Sequence, residues 1–245
     1  MTGHYFDAVP AAPSERRTVP LVLPDWRADL LTDRAVFSGD RIDPGSKFLL
    51  LEAPAPGEAV TEALDLGCGY GPIALTLARR RPSARVWAVD VNERAVELCR
   101  DNATALGIDN VAAVQVGPDH PIGTIPDDVR FDLIWSNPPI RIGKAELHDI
   151  LRRWLGRLTP AGVAVLVVHK HLGADSLQRW LIGQGHPTDR IASRAGYRLL
   201  QVGPAVAEPG DAPTGSHPLG DAGTDPDRAA EADTGADDPH RQDEP

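Results

Sequence analysis

"EALDLGCGYGPIALTLARRRP", residues 62–82, starts as an apolar strand, breaks at three alternating glycines and resumes as a helix that Pro82 closes. A strand that runs through glycines into a helix is half of a strand-helix-strand unit, so the next segments decide the fold. "RVWAVDV" (85–91) is a second strand, and "NERAVELCRDNATALG" (92–107) is a helix that Asn92 can cap and Gly107 can end. Strand candidates continue at 111–116, 131–137, 162–170, 188–194 and 196–202, with helices around 144–158 and 173–183. Continuous apolar strands separated by helices imply a mostly parallel sheet covered on both faces. The expected fold is therefore α/β, a doubly wound seven-stranded sheet.

Upstream, "TVPLVLPDWRADLLTD" (18–33) alternates short apolar runs around Pro24 and Asp25 and reads as a hairpin. The chain then divides into an N-terminal extension with the hairpin (1–34), the α/β domain (35–203) and a tail (204–245). With 42% hydrophobic residues in 245, one moderate domain with a sizeable core is expected. Cys68 and Cys99 lie in a strand end and a helix, which excludes a disulfide framework and points to a reducing cytoplasm. The opening residues lack an apolar signal core, and "VAVLVV" (163–168) is too short to span a bilayer, so no membrane is expected.

The formal net charge is −10, but it is unevenly spread. Residues 204–245 hold 11 acids against Arg228 and Arg241, which leaves 24 acids and 23 Lys+Arg in residues 1–203, a net of −1. The tail is Pro, Gly, Ala and Asp with almost no large apolar side chains, so it is expected to be disordered. A solvating tail and an acidic arm that competes with RNA both fit it.

In a doubly wound sheet, ligands sit outside the carboxyl ends of the strands, where the strand order reverses. "LDLGCGYGP" places Asp65, Gly67, Gly69 and Gly71 there. Glycines let the backbone turn and approach a ligand, and a helix start offers free N–H groups to an anion. The G-x-G-x-G spacing differs from the G-x-G-x-x-G that admits a pyrophosphate, and suits a carboxylate with an ammonium beside it. Asp90, ending the second strand, can accept both hydroxyls of a ribose or merely cap the next helix. Asp119, after the third strand, either accepts from an adenine amino group or is a plain loop acid.

"ALDLGCGYGPIAL", "WAVDVNERAVELCRDNA" and "FDLIWSNPPIRIGK", in this order, resemble class I S-adenosylmethionine-dependent methyltransferases of the small-domain family, which includes ribosomal RNA guanine-N2 methyltransferases. "HYF" (4–6) and "AVFSGDRIDPGSKFLL" (35–50) resemble that family's upstream segment, so the resemblance covers roughly residues 3–202. It implies S-adenosyl-L-methionine as cofactor and ribosomal RNA or a ribosomal subunit as partner. On this reading Asp65, Gly67, Gly69, Gly71, Asp90, Asp119 and Asn137 contact the cofactor.

The resemblance also gives Asn137-Pro138-Pro139 a catalytic role. An exocyclic amine is a poor nucleophile because its lone pair is delocalised into the ring. Two acceptors that hold its N–H groups, the Asn137 side-chain oxygen and the Pro138 carbonyl, can aim that lone pair at a sulfonium methyl. Pro139 stiffens the loop. The plain alternative is a strand-terminating turn.

Many Asn-Pro-Pro enzymes continue with Tyr or Phe, which stacks on a base; here Ile140 and Arg141 follow. Ile140 can pack on a base face without a π-system, and Phe37 is either the missing aromatic surface or core. Arg141 and Lys144 can hold phosphates. "ARRRP" (78–82), Arg152, Arg153 and Arg157 read as solvated helix faces. "HKH" (169–171) reads as a strand end with side chains on alternate sides, and no metal is expected. The leading expectation is methylation of guanine N2 in ribosomal RNA. Its rivals are a protein glutamine or adenine-N6 acceptor, a non-catalytic RNA assembly factor and, from the glycine loop, a nicotinamide-dependent oxidoreductase. Oligomeric state is left open.

Overall fold

The computed structural model of the chain describes residues 13–206. The "HYF" segment and the tail from residue 207 lie outside the described residues. In chain order the elements are β1 (Arg17–Val22), β2 (Arg27–Thr32), α1 (Pro44–Glu52), β3 (Glu62–Leu66), α2 (Pro72–Arg80), β4 (Arg85–Asp90), α3 (Glu93–Ala105) and β5 (Val111–Gln115). They continue with β6 (Phe131–Ser136), α4 (Lys144–Leu155), β7 (Leu158–His169), α5 (Ala174–Gly183), β8 (Thr188–Arg194) and β9 (Tyr197–Val202).

Seven strands form one sheet in the order β5-β4-β3-β6-β7-β9-β8. The first five of these pair in parallel, and β9 runs antiparallel to both β7 and β8. The chain steps outward from β3 to β5 and then returns to β6 on the other side of β3. The ends of β3 and β6 therefore flank the crevice where the order reverses, and both motif loops open there.

Successive residues of a strand face opposite sides, so a sheet buried on both faces needs apolar residues at every position. Ala63 and Trp135 join one core with Phe48 of α1, Ile73 of α2 and Leu98 of α3. Leu64 and Ile134 join the other with Leu151 of α4 and Leu181 of α5. Each fully buried Leu or Ile contributes about 1.5–3 kcal/mol. The sheet is thus a rigid floor for the loops at its carboxyl edge.

The β1–β2 hairpin turns at Pro24 and Asp25, where Leu23 N donates to Trp26 O at 3.0 Å. It is braced against the sheet domain by a buried amide. Asn102 of α3 accepts from Leu31 N at 2.7 Å and donates to Leu31 O at 2.8 Å and to Tyr70 O at 2.9 Å, joining hairpin, helix and glycine loop.

Three features depart from the sequence reading. Residues 44–52, treated only as part of an upstream segment, form α1, with Pro44 in its first turn and Asp43 as N-cap. The fifth sheet strand begins at Leu158 instead of 162, because Leu158 pairs with Phe131 across a register shift. Some arginines are not solvated. Arg157 is buried beside Phe131 and Trp154, and Arg80 grips Asp25 at the hairpin tip with two bonds of 2.7 and 3.0 Å.

Candidate active site

A cavity of about 900 Å³ opens at the carboxyl edge of the sheet, within the range of sites for nucleoside-sized ligands. Gly67, Asp90 and Asn137 line it from the ends of β3, β4 and β6. Phe37, 40% exposed, Ile140 and Arg141 also line it.

The glycine loop is built by packing. Gly71 caps α2 with φ +100°, and a Cβ there would lie 2.9 Å from the Cys99 sulfur, so no larger residue fits without displacing α3. Asp65 is wholly buried beneath this loop and accepts from Ala74 N of α2 at 2.8 Å. Its other carboxyl oxygen has no hydrogen-bond partner among the described residues. Burial, with Asp90 nearby, pushes the Asp65 pKa up to about 8. Asp65, Gly69 and Gly71 support the loop from behind and do not line the cavity.

Asp90 is held by the loop it serves. Its two oxygens accept from Gly69 N at 2.9 Å and Asn92 N at 3.0 Å, and it still faces the cavity. Burial raises its pKa, with the backbone N–H groups acting in the opposite direction. Asn92 caps α3 with its own oxygen and donates to Ala35 O at 2.7 Å, anchoring the segment that carries Phe37. Asp119 is exposed and outside the cavity lining, where Val116, Gly117 and Pro118 stand instead.

The Asn-Pro-Pro loop has a defined shape. Pro139 has φ −75° and ψ 70°, and Ile140 N donates to Pro138 O at 2.8 Å, an inverse γ-turn centred on Pro139. A carbonyl has two lone pairs, so Pro138 O can accept a second donor. Asn137 Nδ2 donates to Asp43 Oδ1 at 2.7 Å and to Ser46 Oγ at 3.0 Å. The amide oxygen of Asn137 accepts from no described residue. A turn of 3₁₀ helix, Ile140–Ile142, leads to Lys144, which is exposed at the start of α4 and outside the lining.

Residues that sequence reasoning missed complete the wall. Asp43 lines the cavity, as do Arg153, His169, His171 and Tyr197. The His169 ring meets Tyr197 edge-on at 4.9 Å between centroids and lies 5.4 Å from His171. His169 ends β7 and His171 lies in the 3₁₀ turn that follows, and both face the cavity. Among the described residues no three His, Cys, Asp or Glu are grouped to hold a metal, and no helix is long and apolar enough to cross a membrane.

A sheet of this order, with a glycine loop after its first strand and an acid ending the second, defines a Rossmann-like methyltransferase. The chain belongs to the methyltransferase small domain family, whose model matches residues 27–201. It is 33% identical to the uncharacterized protein YbxB of Bacillus subtilis, over 82% of this chain and 98% of that one. It is 31% identical to the ribosomal RNA large subunit methyltransferase G of Shewanella amazonensis, over 68% of this chain but 43% of the relative. Among solved structures it resembles the T. thermophilus 16S rRNA N2 G1207 methyltransferase RsmC, in complex with AdoMet and guanosine. That likeness has TM-score 0.65 and 27% identity, covering 79% of this chain and 52% of RsmC. The chain therefore spans about half the length of these ribosomal RNA methyltransferases.

Proposed function

We propose that this protein transfers the methyl group of S-adenosylmethionine to an exocyclic amine of ribosomal RNA, with guanine N2 as the acceptor. One observation carries the reading: both N–H bonds of the Asn137 amide are directed to Asp43 and Ser46, which leaves its oxygen as an acceptor at the cavity. The relatives named as ribosomal RNA methyltransferases and the guanosine bound by RsmC support the choice of acceptor.

The cavity's chemistry fits the donor. Asp90 offers carboxylate lone pairs for two vicinal ribose hydroxyls, and Gly67, the glycine of the loop that reaches the cavity, lines the wall where the methionine moiety would lie. Gly117 and Pro118 line the wall beyond Asp90 and are the residues that would hold the adenine. Asp65 serves this site indirectly, by fixing α2 against the loop. The bound donor supplies an electrophilic methyl group already activated by its sulfonium.

The chain's own residues then position the acceptor. Asn137 Oδ1 and Pro138 O each take one N–H of the amine, so the nitrogen lone pair points along a single direction. The γ-turn and two proline rings hold these acceptors in place before substrate arrives, which saves reorganisation at the moment of reaction. Little acid-base chemistry is needed, because the methylated nitrogen becomes acidic and loses its proton to water. His169 and Tyr197 supply the π-surface that Ile140 lacks, and Arg141 with Lys144 hold flanking phosphates.

Labelled S-adenosylmethionine, supplied with ribosomal subunits, deproteinised ribosomal RNA and soluble protein from cells lacking this gene, tests the proposal. The expected product is N2-methylguanosine. Label in N6-methyladenosine or in protein would move the acceptor while keeping the geometry, and absence of label despite cofactor binding would leave a binding module.

A further inference from the structure

The partners of Asn137 come from far upstream in the chain, 94 residues for Asp43 and 91 for Ser46. Both sit at the start of α1. Asp43 Oδ1 accepts from Ser46 N at 2.9 Å as the helix N-cap and from Asn137 Nδ2 at 2.7 Å, so one oxygen starts the helix and fixes the amide. Phe48, Leu49 and Leu50 bury the helix in the core, which makes the two acceptors rigid. Gly45 permits the approach. A Cβ there would lie 2.9 Å from both Asp43 Oδ1 and Tyr197 Cε1.

The chemistry of this contact has a sign. A carboxylate oxygen only accepts, so Asp43 attracts the NH2 edge of Asn137 and repels its oxygen. If the amide turned over, its oxygen would face a carboxylate, and its N–H groups would face the amine they are meant to hold. Such a rotamer offers donors to donors and cannot orient the nucleophile. A charge-assisted bond at 2.7 Å biases the amide against it.

We propose that Asp43, assisted by Ser46, is a positioning residue that sets the rotamer of the Asn137 amide and thereby presents its oxygen to the acceptor amine. This rests on the function proposed above. Asp43 acts through Asn137, so its removal changes the rate of transfer and leaves ligand affinity in place.

Four variants separate this role from helix capping, each assayed for single-turnover transfer, KM for RNA, S-adenosylhomocysteine affinity and Tm. Asp43→Ser keeps a competent N-cap but is too short to reach Nδ2, and Asp43→Asn keeps an acceptor oxygen for both bonds. Asp43→Ser is expected to slow transfer by about tenfold to a hundredfold, with KM and cofactor affinity within about twofold, whereas Asp43→Asn stays within a few-fold of wild type. Placed in an Asn137→Ala background, Asp43→Ser is expected to cost nothing further, since the group it positions is gone. Should Asp43→Ser fold poorly, Ser46→Ala removes the second acceptor with the cap intact and is expected to slow transfer several-fold. Wild-type turnover in Asp43→Ser or in a folded Ser46→Ala, or an additive loss in the double variant, would overturn the positioning role alone. A wild-type protein that transfers no methyl to an amine would overturn it together with the proposed function.

Discussion

Asn137, at the end of β6, donates to Asp43 at the start of α1 over 2.7 Å. The bond joins the loop after the fourth strand of the parallel set to the segment that precedes the first. The candidate site is therefore closed across the crevice by side chains from two segments far apart in the sequence.

The cofactor end is tested through Asp90. Two hydrogen bonds from ribose hydroxyls to a carboxylate contribute about 1.5–3 kcal/mol each. Asp90→Ala is expected to weaken S-adenosylhomocysteine by at least tenfold, roughly the lower bound of one such bond, as read by calorimetry. Unchanged affinity would remove Asp90 from the ribose site.

Asp65 gives the protein a pH signature. Its folded pKa is about 8 against an ordinary value of 3.8, so between these pH values the folded state keeps a proton that the unfolded state has released. Stability contributed this way is complete at the acid end of the window and is lost as pH rises through it. Ligand-free protein is expected to lose Tm from pH 5 to pH 8 relative to Asp65→Asn, in which position 65 does not titrate. Parallel pH profiles would show that Asp65 is ionised throughout.

Arg141 and Lys144 are exposed beside the Asn-Pro-Pro loop. If they hold phosphates, Arg141→Gln and Lys144→Gln each flatten the dependence of log Kd on log salt by about 0.7–1 and weaken all RNA sequences alike. Titration of RNA binding at several salt concentrations measures this. Slopes equal to wild type would place the phosphates elsewhere.

Tyr197 meets His169 edge-on beside the same cavity. Base-aromatic stacking is worth about 1–3 kcal/mol, so Tyr197→Leu is expected to raise KM for RNA by roughly fivefold or more and leave cofactor affinity unchanged. An unchanged KM would assign the ring to packing alone.

Much of the sheet was legible because its central strands β3, β4 and β6 are buried on both faces and write themselves as short apolar runs. The loops at residues 67–71 and 137–139 follow, since a strand's end fixes which loop meets the crevice. Helix α1 escaped, although Asp43-Pro44 is a strong helix start, because the apolar run of residues 48–51 lacks the polar interruptions of an amphipathic helix. The wall of His169 and Tyr197 escaped for another reason. Antiparallel pairing of β7 with β9 places these two residues opposite each other, and such a register is a tertiary fact. Asp43 and Asn137 meet across 94 residues, beyond any local pattern. Arg157 was misread because a guanidinium packed on Phe131 and Trp154 looks, in sequence, like any charge on a helix end.

The most direct test of the account is single-turnover methyl transfer to ribosomal RNA by wild-type protein and Asn137→Ala, both saturated with labelled S-adenosylmethionine. The account predicts label in N2-methylguanosine for wild type, and for Asn137→Ala a rate lower by about a hundredfold to a thousandfold with cofactor affinity retained. Transfer by Asn137→Ala at the wild-type rate would contradict it.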